Sequence, residues 1–79
     1  MAFDGKYGTI TAEKKRFHPN EPVFLFRAQD AMALVAIDAY RDEVIRRKMP
    51  QEFVNAITAH GIAIIEWQKA NPDLVKMPD

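Results

Sequence analysis

Arg27, Gln29 and Asp30 are the side chains whose types and spacing come closest to doing chemistry. They stand between an apolar run, residues 23–26, and an alanine-rich helical pattern that starts at once. A helix N-terminus offers free N–H groups and a positive dipole end, which suit an anion. Arg27 adds a planar fork of donors for phosphate or carboxylate. Gln29 suits a base edge or a sugar hydroxyl. Asp30 has two readings. It is a ligand contact, or it caps the helix while Arg27 pairs with an acid such as Glu21 or Asp30 itself. Lys6 and Tyr7 lie in a glycine-flanked arm. Such an arm closes over a neighbouring subunit's ligand, with the ring stacked on a base; the alternative is a tyrosine packed on the core.

Other chemistries lack their parts. The chain has no serine and no cysteine. This removes a Ser-His-Asp route, disulfides, thiolate zinc and a thiol nucleophile. Thr9, Thr11 and Thr58 have no base beside them in sequence. His18 sits in a proline-rich turn, and His60 reads as a helix-packing histidine with one hydrogen bond. No H-E-x-x-H or G-x-x-x-x-G-K pattern occurs, so neither a zinc site nor a phosphate loop is expected. The expectation is a protein that is not an enzyme, with no cofactor and no metal.

Eleven basic residues balance eleven acidic ones. A duplex-binding protein carries a basic excess, so no duplex nucleic acid is expected. No apolar run approaches the ~20 residues of a membrane span. The first residues, MAFDGKYG, do not read as a signal peptide. A cytoplasmic location and no membrane partner follow as expectations. The basic triplet Lys14, Lys15 and Arg16 reads as a solvated turn or as part of a phosphate-facing rim.

The elements that must position these residues read as one domain, 1–79, of α+β class and mostly α. Residues 1–29 form an arm and a short β-hairpin, 30–70 an antiparallel helical hairpin, and 71–79 a tail. Residues 1–8 read as an extended arm or the lead into a strand. Residues 7–11 have the β-branched and aromatic content of a strand. Residues 23–26 read as its hairpin partner; the alternative is a helix start with Asn20 as N-cap and Pro22 in the first turn. Asp30 reads as N-cap of a helix running to about Lys48. Its stripe is Leu34, Ile37, Val44 and Ile45, with Tyr40 at the edge, and Met32, Val35 and Ala39 make its first half apolar nearly all round. Asp42–Arg46 and Glu43–Arg47 are spaced as helix ion pairs. Pro50 opens a second helix to about Ala70, with Phe53, Ile57, Ile64 and Trp67 as its stripe, widened by Val54, Ile62 and Ile65. Trp67 is expected to cluster with Phe53 and Phe24. Gly61, costly in a helix by about 1 kcal/mol, is expected opposite Ala33, Ala36 or Ala39. A chain of 79 residues buries only ~60% of its unfolded surface. So apolar a first helix therefore points to a homo-oligomer.

The run E-P-V-F-L-F-R-A-Q-D, followed by Ala33, Ile37 and Tyr40, resembles small phage and prophage proteins of mostly unassigned activity. The shared features are the E-P-V-F and R-A-x-D elements ahead of an alanine-rich helix. The match covers residues 21–40, a quarter of the chain. The resemblance implies an anti-defence role. One such role is to sequester a cyclic nucleotide or related signal at subunit interfaces, held by Arg27, Gln29, Asp30, Lys6 and Tyr7. Others are direct inhibition of a host protein, or a structural role in an oligomer. The helix-hairpin signatures of known nucleotide sponges are absent from this sequence.

Overall fold

The computed structural model describes residues 2–4 and 6–77. The chain forms β1 (Ala2–Asp4), β2 (Gly8–Ile10), β3 (Glu21–Pro22), α1 (Ala33–Arg46), α2 (Gln51–Ala70) and a single 3₁₀ turn, Pro72–Leu74. It is a small, mostly helical fold built on a helical hairpin.

The two helices form because their apolar residues recur at helical spacing, and they stop where the sequence says they should. Pro50 immediately precedes α2, and Pro72 stands just past its C-cap, Asn71. At the end of α1 the chain enters the left-handed region at Lys48, φ 56°. Lys48 N–H donates to Ile45 O (3.0 Å) and Met49 N–H to Val44 O (3.2 Å). This Schellman closure satisfies carbonyls that would otherwise be left open. The helices run antiparallel, as the cross-contacts show. Tyr40 meets Phe53 edge-on at 6.4 Å, Arg41 Nε donates to Thr58 Oγ1 at 2.6 Å, and Ile37 lies beside Gly61. The later part of α1, at Tyr40 and Arg41, meets the earlier part of α2, and Ile37 meets Gly61 further on.

Several expectations are corrected. Gly61 faces Ile37, not an alanine: a Cβ placed there would lie 3.7 Å from Ile37 Cγ2. That is ordinary contact, so close helix approach does not require glycine. Gly61→Ala is therefore expected to stabilise the fold by about 1 kcal/mol, by removing the helix penalty of glycine. A urea midpoint that falls instead of rising would contradict this. Arg46 turns to Glu43 instead of Asp42, so Glu43 is shared by Arg46 and Arg47. First Arg46 and then Arg47 hold the Glu43 carboxyl below its ordinary pKa. Trp67, Phe53 and Phe24 do not cluster. Phe24 stacks on Phe26 at 4.8 Å and is 78% exposed. Phe53 lies about 21 Å from Trp67 along the helix axis, at 1.5 Å per residue.

The β-hairpin exists, but with other partners. β1 pairs antiparallel with β2, with Phe3 opposite Thr9 and Asp4 opposite Gly8. Gly8 takes φ 80°, a region that a side chain disfavours. β3 joins the far edge of β1 in parallel, giving the order β2-β1-β3. Residues 23–26 are neither strand nor helix. A strand there would have two apolar faces to cover. Phe24 is exposed there, while Phe26 turns to the cleft between the helices. Among the described residues no strand Cα lies within 8 Å of a helix Cα. The hairpin is thus not seated on the helices by its backbone.

The core is thin. Among the described residues the buried apolar side chains are Ala33, Val44, Val54 and Ile64. Among the described residues thirteen large apolar ones are exposed, including Val35 at 70% and Tyr40 at 58%. Ile45, expected in the core stripe, is also exposed. The radius of gyration is 14.1 Å and the extents are 36 × 35 × 20 Å. A compact chain of this length has a radius of about 12 Å. A pair of helices is one layer, and one layer cannot enclose a core.

Candidate functional site

The polar junction, residues 27–32, is a run of turns tied down from outside. Asp30 N–H donates to Arg27 O (2.9 Å), and Ala33 N–H to Asp30 O (3.0 Å). Asp30 Oδ1 accepts from Met32 N–H at 2.8 Å. Asp30 therefore closes the turn two residues on, as Asx side chains do. It is not the N-cap of α1; Met32 holds that place without a side-chain cap. The helix starts later than expected for this reason.

Residues from the far end of the chain complete the clamp. Ala31 N–H donates to Lys76 O (2.8 Å), and Lys76 N–H to Gln29 O (2.9 Å). This is a parallel bridge between Asp30 and Lys76. Gln68, from the last turns of α2, donates through Nε2 to Ala28 O at 2.9 Å. Residues 71–79, expected to be a tail, thus include a second wall of the junction at 75–77. The N–H groups of Ala31, Met32 and Ala33 are all spent on acceptors within the chain. An anion at the helix mouth would have to be held by side chains instead.

Those side chains do converge. Lys6, Tyr7, Arg27, Gln29, Asp30, Lys76 and Met77 line one small cavity of ≈ 20 Å³. All five residues singled out from the sequence are in that lining. Arg27 pairs with neither acid proposed for it; its Nη2 donates to Gln29 Oε1 at 3.1 Å. Lys6 Nζ sits over the Tyr7 ring, 5.7 Å from its centroid, within cation–π range. Three cations surround one carboxylate, and that carboxylate already serves the turn. The local field favours an anion. The volume holds about one water molecule, so a nucleotide would need the cavity to open or gain walls.

Lys76, Met77 and Gln68 were missed by sequence reasoning. Gln68 had a signal: it continues the stripe of Val54, Ile57, Gly61 and Ile64 at helical spacing, where a polar residue implies a specific partner. Lys76 had none.

A larger cleft, ≈ 350 Å³, opens between the helices and is lined by Phe26, Ala36, Ile37, Tyr40, Ile57 and His60. His60 is exposed there and its imidazole makes no hydrogen bond among the described residues, contrary to the packed histidine expected. Lys14, Lys15 and Arg16 are exposed and outside the junction lining. No group of three or more His, Asp or Glu able to hold a metal occurs among the described residues. No described helix is long and apolar enough to cross a membrane.

No protein-family model, curated protein or solved structure matches the chain.

Proposed function

We propose that the chain is a non-enzymatic binding protein, working as a homo-oligomer, that captures a small nucleotide signal of the cyclic-nucleotide class at its polar junction. The observation that carries this reading is the convergence of Lys6, Tyr7, Arg27, Gln29 and Asp30 on one cavity with Lys76. Arg27 holds a phosphate, Gln29 a base or ribose, and Lys6 and Tyr7 close the site. Because the cavity of one subunit is so small, the remaining walls come from a neighbouring subunit. In a phage setting this activity works in the host cytoplasm against a defence signal.

Calorimetric titration of the whole chain against cyclic di- and trinucleotides and ADP-ribose derivatives tests the reading. At least one should bind, and Arg27→Ala should weaken it by about tenfold or more, since hydrogen bonds to charged groups contribute about 1.5–3 kcal/mol. No heat with any member of the panel would sink it. A second reading, direct inhibition of a host protein, is favoured by the exposed Phe24 and Phe26. Such aromatics on a small chain suit a protein partner, and pull-down with Phe24→Ala as control tests that.

A further inference from the structure

The helical hairpin has two faces, and they differ. On one, Phe26 from the preceding segment leans over the cleft beside Tyr40 and His60. On the other, the groove is lined by residues of the two helices alone, among them Leu34, Asp38, Arg41 and Ile62. We propose that this second face is the contact with a second copy of the chain, formed by α1 packing antiparallel on its counterpart about a two-fold axis. The proposal rests on the homo-oligomeric part of the function proposed above and gives it an interface.

Charge and spacing carry it. Leu34, Asp38, Arg41 and Ile45 recur at intervals of four, three and four, the seam spacing of packed helices. Such a seam is normally apolar throughout, yet its two central positions here are opposite charges. Arg41 is half-buried and spends Nε on Thr58. Asp38 is exposed, and its carboxylate forms no hydrogen bond or ion pair among the described residues. A two-fold contact is self-complementary: where one residue meets a second, the second meets the first. An antiparallel seam centred between these charges sets Asp38 of each copy against Arg41 of the other. The same register sets Leu34 against Ile45, the latter 46% exposed in one subunit. Ile62 and Ile65 from α2, at 50% and 39% exposure, flank the seam. The second copy supplies the layer that a lone helix pair lacks. It also brings its Lys48 level with Ala31, placing another cation beside the polar junction.

Charge reversal tests the pairing. Asp38→Arg carries two cations on the seam and Arg41→Asp two carboxylates, so each should repel its own copy. Like charges facing across an interface cost several kcal/mol, and each single variant should dissociate about 100-fold more readily than the wild type. Mixed in equal amounts, the two become complementary and should form a heterodimer. Light scattering and sedimentation of the whole chain read the mass, with far-UV circular dichroism confirming the fold. If Arg41→Asp does not fold for want of its Thr58 bond, Asp38→Arg must still be monomeric while Asp38→Glu remains dimeric. An oligomeric wild type whose mass is unchanged by Asp38→Arg overturns this interface and leaves self-association standing. So does a folded pair of variants that fails to associate. A monomeric wild type at about 100 µM, where interfaces of ordinary affinity are filled, overturns both.

Discussion

Ile64→Ala is expected to lower the stability of the folded chain by about 3 kcal/mol, the middle of the range for large-to-small core changes. Ile64 is the largest of the four buried apolar residues, at 6% exposure. Its loss removes three methyl or methylene carbons from the part of α2 that leads into the clamp on the junction. A domain of this length has a total stability of about 4–12 kcal/mol, so the change consumes a large share of it. Urea unfolding at fixed protein concentration measures it, since self-association makes stability depend on concentration. Val35→Ala, at an exposed position on the back of α1, is the comparison and should cost under about 1 kcal/mol. An Ile64 variant no worse than the Val35 variant would show that the core lies elsewhere.

Ending the chain after Leu74 is expected to cost about 2 kcal/mol and to abolish the binding proposed for the junction. The truncation removes both backbone hydrogen bonds of Lys76, to Gln29 O and from Ala31 N–H. Each is worth about 0.5–1.5 kcal/mol, and groups left without partners cost more. It also deletes Lys76 and Met77 from the cavity wall and half-buried Val75. Tolerance of truncation depends on the bonds and burial of the backbone removed, and here that backbone is bonded. The two readouts separate two roles. A shortened chain that keeps its urea midpoint but loses binding would make the tail a ligand wall only. One that keeps both would remove the tail from the site.

Much of the helical part was legible because its causes are local. Apolar spacing, the prolines at 50 and 72 and the short connection mark both helices to within a few residues. The polar residues of the junction were legible too, because an arginine, an amide and a carboxylate crowded between apolar runs stand out. What they bond to was not legible. Asp30 had two local choices, a helix cap and a turn two residues on, with the same residue preference. Arg27 reaches the amide beside it instead of the acid that charge alone would choose. The strand at 23–26 failed because β character there demanded cover on two faces, whereas Phe24 is exposed and Phe26 turns to the cleft between the helices.

The sequence by itself determined which segments are helices and where they stop. These follow from periodicity and backbone sterics, which act over a few residues. Only the tertiary structure decided that β3 lies parallel to β1, that Gly61 has room for a methyl group beside Ile37, and that the chain's last segment walls the junction. The physical reason is distance along the chain. Gln68 and Ala28 are separated by 40 residues, and Lys76 and Asp30 by more. Pairings so remote are chosen by which backbone groups remain unsatisfied once the helices have packed, and no local pattern records that choice.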